Sequence, residues 1–297
     1  MKISSKSWPA WEPTFSVLRA MNSWSKLFLS KILSFILLWP TLVWAGWFHV
    51  FIPDQTGGYG KVGWPTTWTY FWGKPYQGII ADTKPPQFVV FSPSGKRLPV
   101  AVTAIDLLDE SSGKKRRAFR LRYTAKETGD HYICLLGAPY LVMEEGLVYQ
   151  DYVKECLHVF KEDGWQRPLG LELEIVPLTR PYGLEVGEIF RGRCLKDGQP
   201  AAGAKVEWEY YQGYYLPRKD LPQDPFGYEN RPLITKSAHT DQEGIFAIGF
   251  NRPGWWIISV SFPSGTIDFG PSTFPLIKRA GIWIYVQEPY HPPPKKP

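Results

Sequence analysis

An all-β fold of two β-sandwich domains is what this sequence predicts, and three observations predict it. First, the 297 residues combine 28 Pro and 27 Gly with 14 Trp, 16 Tyr and 17 Phe. No long amphipathic helical pattern appears after residue 45, and turn formers mixed with aromatics favour sheets. Second, several stretches alternate apolar and polar residues with the period of two that gives a strand one dry and one wet face. Third, Leu171-Glu172-Leu173-Glu174-Ile175 alternates in this way and is followed by Pro177, Pro181 and Gly183. Proline lacks an amide donor and pushes the residue before it into extended geometry, so pairing stops here and a new sheet is expected beyond. Two domains follow, at 46–180 and 184–288, in a chain long enough to bury two cores.

In the first domain, residues 47–52 (WFHVFI) read as a strand ended by Pro53-Asp54, and 55–65 as a glycine-rich loop. Residues 68–72 form an aromatic strand, and 88–91 a buried one closed by the turn Ser92-Pro93-Ser94-Gly95. Residues 100–107 follow. Phe119, Leu121 and Tyr123 alternate with Arg120 and Arg122, and the turn Glu127-Thr128-Gly129-Asp130 leads to the partner strand at 131–136. With 153–160 this makes a sheet system of about seven strands. In the second domain, 189–195 is a strand and Asp197-Gly198 a turn. Val206, Trp208 and Tyr210 then alternate with Lys205, Glu207 and Glu209. A polar insert at 216–232 carries four prolines, and strands at 245–250 and 255–262 complete a Greek-key module. Because neighbouring side chains in a strand face opposite ways, one of Trp255 and Trp256 should fill the second core and the other should cover the joint between domains.

The first 45 residues are set apart from the fold. Lys26 and Lys31 precede an apolar run at 32–44, and Val43-Trp44-Ala45 has the character of an export-signal cleavage site, with Met21 as an alternative start. The alternative, an uncleaved anchor, needs 27–31 as well to reach across a bilayer. No membrane span is expected after cleavage, and 289–297 is a proline-rich tail. The leader holds five basic residues and one acidic residue, which leaves +2 of the chain's +6 for the remainder. That charge excludes a general nucleic-acid footprint. Lys114 to Arg117 read as a solvated hairpin tip. Three cysteines, at 134, 156 and 194, contain no CxxC pair, which excludes a zinc ribbon or thioredoxin-type site. Cys134 and Cys156 either pair across neighbouring strands or remain two buried thiols.

A set of ordered segments carries a family resemblance. EIVPLTRPYGL (174–184), FRG (190–192), AKVEWEYY (204–211), TDQEGIFAIGF (240–250) and RPGWW (252–256), with Thr128-Gly129-Asp130-His131-Tyr132 and Ala138-Pro139-Tyr140 upstream, resemble the DUF4198 family. The resemblance implies a second domain of transthyretin-like or carboxypeptidase-regulatory-like type. It also implies a periplasmic, non-catalytic accessory protein of a nickel or cobalt uptake system, with Ni2+ or Co2+ as its metal and a membrane transporter as its partner. Two departures from the family pattern stand out. Lys74 replaces a histidine in Phe71-Trp72-Gly73-Lys74-Pro75-Tyr76, and the stretch that in relatives reads roughly HYTK is here Gln150-Asp151-Tyr152-Val153-Lys154.

His49, near the expected new terminus, is the candidate metal ligand, because Ni2+ and Co2+ favour imidazole nitrogen; Glu144 and Glu145 are candidate carboxylates. His131 and His158, in strands, read as packed or paired, and His239 and His291 as solvated. No GxSxG, HExxH, phosphate loop or Cys-His spacing appears, so an enzyme is not expected. A carbohydrate-binding or surface-adhesion module is the rival reading, resting on Trp64, Trp68, Trp72, Tyr210, Tyr211, Tyr214 and Tyr215.

Overall fold

The computed structural model describes residues 46–54, 57–137 and 139–292. The leader, the Met21 start and the end of the tail lie outside the described residues. From Ala45 onward the chain is one compact unit, and it is all-β, as expected. Among the described residues its helices are a 3-10 turn at Arg218–Asp220 in the proline-bearing insert and one turn of α-helix at Arg231–Ile234 at the insert's end.

Among the described residues three sheets stack in layers. The first contains β1 (Phe48–Pro53), β2 (Pro65–Lys74), β7 (Lys114–Thr124) and β6 (Ala101–Asp109) in that order, with β3 (Ile79–Ala81) beside β2. The third contains β11 (Leu173–Pro177), β13 (Ile189–Lys196) and β14 (Gln199–Pro200), with β17 (Ile245–Gly249) beside β13. Between them runs a ten-stranded sheet. Its order is β16 (Thr235–His239), β15 (Lys205–Tyr210), β18 (Gly254–Phe269), β19 (Ser272–Gln287), β10 (Leu147–Val159), β8 (Gly129–Leu136), β4 (Gln87–Phe91) and β5 (Arg97–Leu98). Two short strands complete it, β9 (Tyr140–Val142) on β10 and β12 (Leu184–Glu185) on β19.

Strand parity shows how one sheet serves two cores. Ile257 of β18, Trp283 of β19, Val153 and Leu157 of β10, and Ile133 of β8 pack with Phe51, Trp68 and Leu121 of the first sheet. Trp256 and Ile258 of β18, with Ile282 and Ile284 of β19, face the other way and pack with Ile175, Phe190 and Phe246 of the third sheet. Beside that second core, Leu169, Leu171 and Tyr182 from the connecting stretch cover Tyr132, Cys134 and Cys156.

Two sandwich cores are therefore present, and they share their middle layer. The join is the parallel pairing of β10 with β19, from Val148 opposite Leu276 to Glu155 opposite Trp283. This pairing reaches across the expected boundary at 180–184. Strand β11, the last of the expected first domain, pairs antiparallel with β13 of the second core, Ile175 opposite Cys194. The proline-rich stretch does end β11, but the partner strand comes from beyond it. The shared strands were hard to delimit for the same reason that they are shared. β10 begins at Leu147 rather than 153, and its segment 147–153 is buried or half-buried throughout, so no wet face interrupts it.

Cys134 and Cys156 lie on the neighbouring strands β8 and β10, but Cys156 is opposite Tyr132 and Cys134 opposite Val89. All three thiols are free and buried, and burial pushes the thiol of Cys156 well up in pKa, so it is not a reactive thiolate. Trp256 is 2% exposed in the second core, while half-buried Trp255 packs against the first.

Candidate functional site

His49 lies in β1 opposite Trp72 of β2 and is fully buried against the middle sheet. On that sheet Asp151 of β10 is the register partner of Arg279 of β19. The guanidinium grips the carboxylate with both arms, Nε to Oδ1 at 2.8 Å and Nη2 to Oδ2 at 2.6 Å. Nη2 also donates to the carbonyl of Trp47 at 2.8 Å, and the cation lies over the ring of Tyr149 at 4.1 Å. A fork with parallel donors is the strongest arrangement open to such a pair.

The imidazole sits in an aromatic box, 4.5 Å from the ring of Trp72 and 5.1 Å from that of Tyr140. Its Nδ1 is 2.9 Å from the Tyr70 hydroxyl, which continues through Thr83 to the Tyr140 hydroxyl, where the Lys84 backbone N–H donates at 2.6 Å. Nε2 faces Asp151 Oδ2 at 3.8 Å and has no hydrogen-bond partner among the described residues. Burial, opposed by Asp151 and helped by Arg279, lowers the His49 pKa to about 4, so the ring is neutral. We assign the proton to Nε2, toward the carboxylate, with Tyr70 donating to Nδ1; the other tautomer would aim a lone pair at a negative charge.

These residues do not fit a resident Ni2+ or Co2+. Both oxygens of Asp151 are engaged by a guanidinium, a fixed positive charge beside any incoming cation, and His49 is a single imidazole. The other candidates stand nearby but do not converge on it. Lys74 bonds Glu144 at 3.3 Å, and the Tyr149 hydroxyl donates to Glu145 at 2.5 Å. Among the described residues no group of three His, Cys, Asp or Glu side chains is placed to hold a metal. Both departures from the family pattern thus fall at this corner, with Lys74 over the ring of Trp47 at 5.0 Å and Asp151 beside His49. Sequence reasoning missed Arg279; the clue was a charge inside the apolar run of β19.

The remaining histidines are structural or solvated. His131 bonds the Tyr123 hydroxyl at 3.1 Å, His158 bonds Asp130 at 2.8 Å and stacks on Tyr182, and His239 and His291 are exposed. Of the aromatics in the sugar-binding reading, Trp68 and Trp72 are buried, Tyr210 and Tyr211 pack on the cores, and Trp64 and Tyr214 stand exposed on separate loops.

A second feature lies at the far end of β10. Here Gly60 donates to the His158 carbonyl and His158 to the Gly58 carbonyl, both at 2.8 Å, which docks the glycine-rich loop on the strand. Between loop and strand opens a largely apolar cleft of about 650 Å³, lined by Tyr59, Lys61, Val62, Val159 and Phe160 among others. Phe160 is 90% exposed and has φ of 63°, a left-handed conformation that a bulky residue adopts at a cost.

The layered all-β architecture, with its buried polar corner, defines a β-sandwich protein. The chain matches the family described as "Domain of unknown function (DUF4198)" over residues 50–263, well over half its length, and belongs to that family. No curated protein matches it. Among solved structures it is similar to an alpha-2-macroglobulin from Salmonella, at 13% identity and TM-score 0.25, covering 82% of this chain and 15% of that one. It is also similar to the adhesin InvE of Yersinia pseudotuberculosis, at 9% identity and TM-score 0.19, covering 81% of this chain and 60% of that one. Likenesses this distant carry no argument about fold or function.

Proposed function

We propose that this chain is an exported, non-catalytic accessory protein of a nickel or cobalt uptake system, and that it acts by contact with the membrane transporter rather than by carrying the metal on His49. Membership of the DUF4198 family supports the uptake reading. The observation that carries the contact reading is Phe160, an exposed aromatic held in a costly backbone conformation at the rim of an apolar cleft. Strain and exposed apolar surface together mark a site kept for something other than stability. The grip of Arg279 on Asp151 argues against carriage.

Isothermal titration of the chain from Gly46 with Ni2+ and Co2+, beside His49→Ala, separates the two modes. Contact predicts no His49-dependent binding, and metal uptake by cells that falls when Phe160→Ser replaces the wild type. Micromolar binding lost in His49→Ala would establish carriage instead, and uptake unchanged by deletion of the whole chain would overturn the accessory role.

A further inference from the structure

Glu209 lies on the polar side of β15, which alternation alone would leave wet, yet it is only 1% exposed. Two donors hold its carboxyl group, the Thr235 hydroxyl to Oε2 at 2.7 Å and the Tyr76 backbone N–H to Oε1 at 3.1 Å. Among the described residues no cation forms an ion pair with it. Of the charged groups that act on it, Lys74 pairs with Glu144 at 3.3 Å and Glu207 with Lys205 at 2.6 Å. Burial accordingly pushes the Glu209 pKa up to about 8.

The residue that closes over this carboxyl is Gly46. A Cβ at position 46 would stand 2.3 Å from Oε2 and 2.8 Å from Oε1, so a larger residue would have to push the carboxyl group aside. The Gly46 nitrogen, two bonds from that Cβ position, is within roughly 5 Å of the carboxylate by standard geometry. The next residue is tethered, since the Trp47 carbonyl accepts from Arg279 and the Trp47 ring stacks on Trp72. Gly46 is also the first residue after Val43-Trp44-Ala45, the expected cleavage site.

We propose that Glu209 is the receptor for the α-ammonium group created at Gly46 when the leader is removed, so that processing pins the start of β1 to the middle sheet. Hydrolysis of the Ala45–Gly46 bond adds one water, leaving a carboxylate on Ala45 and an ammonium on Gly46. Before cleavage the nitrogen is an amide and brings no charge; after it, a cation stands beside a carboxylate already held by two donors. A buried carboxylate with its hydrogen bonds satisfied and one counter-charge supplied is the arrangement in which an ion pair is stable. Capture of a terminal amine by preset acceptors is a known recognition mode.

The inference rests on the export reading for its biological setting, and the experiment keeps the two apart. Chains beginning at Gly46 and at Ala45, each released from a fusion so that the amine is free, are compared in wild-type and Glu209→Gln backgrounds. The extra residue moves the ammonium by about 3.8 Å. In the wild type the Gly46 chain should melt at least about 3 °C above the Ala45 chain. That gap should vanish in Glu209→Gln, as a double-mutant cycle requires of a direct pair. An equal gap in both backgrounds, or none in the wild type, overturns the proposal. If Glu209→Gln does not fold, the α-amine titration of the wild-type Gly46 chain decides. The pair predicts a pKa above the ordinary range of about 7.7–8.0, and a value inside or below that range overturns it. Amino-terminal sequencing of the exported protein tests the leader separately; a start other than Gly46 would defeat the cleavage site without altering the measured pairing.

Discussion

Both faces of the middle sheet bury ion pairs, Lys154 with Glu174 toward the third sheet and Arg279 with Asp151 toward the first, but the face toward the first sheet also buries groups with no such partner. Toward the third sheet, Lys154 Nζ meets Glu174 Oε1 at 2.7 Å, and the Leu169 and Gly170 backbone amides donate to the same carboxylate. Glu155, next to Lys154, points to the first sheet and among the described residues forms no ion pair. The Trp68 indole donates to it at 3.1 Å, and burial raises its pKa to about 8. His49 and Glu209 share that face, and burial without enough opposite charge keeps His49 neutral and, as long as the Gly46 nitrogen is an amide, Glu209 too. The contrast teaches that an interior keeps a charge where another element delivers its partner, and otherwise keeps the group neutral.

Loss of the Lys154 cation should do the most harm. Lys154→Met leaves Glu174 buried without its cation and should cost about 3–5 kcal/mol in urea unfolding, whereas Lys154→Met with Glu174→Leu should recover most of that loss. The two tryptophans come next. Trp256→Ala, emptying a site in the second core, should cost about 3–5 kcal/mol, and half-buried Trp255→Ala clearly less, by the same measurement. A shortfall at Trp256 would mean that the third-sheet face collapses to fill the hole.

Glu155 tests the other face through pH. Its native pKa of about 8 stands above the ordinary 4.5, so between these values the unfolded chain has released a proton that the native state still holds. Stability from this group is full below pH 4.5 and falls as pH rises toward 8. Glu155→Gln should remove that slope, so the variant should gain on the wild type as pH rises through this window, read as the urea midpoint at each pH. A constant difference across the window would show that Glu155 is ionised in the native state. The smallest effect is expected where β10 ends. Phe160→Gly relieves a left-handed bulky residue that buries almost nothing, and should raise stability by about 1 kcal/mol. A loss instead would mean that Phe160 packs in solution.

Several elements were legible because alternation is local. Residues 118–123 and 205–210 lie within the strands β7 and β15 of the structure. The Asp197-Gly198 turn has both residues at positive φ, 51° and 75°. The site was legible only in fragments. His49, Glu144, Glu145 and Lys74 fall at one corner, but the partner that decides the chemistry, Arg279, is 128 positions from Asp151, and no spacing rule spans that distance.

By itself, the sequence determined the strand type, the turns, the aromatic cores and the family, because each depends on neighbours in the chain or on an ordered set of motifs. Only the tertiary structure decided that the two cores share one sheet, that β11 belongs with the second, and which buried charges have partners. The parallel β10–β19 pairing is made by segments over a hundred residues apart, Val148 with Leu276 at its start. Their side chains are buried on both faces, so neither strand carries a wet face to announce its partner. Whether Asp151 is a metal ligand or half of an ion pair depends on what that pairing brings beside it.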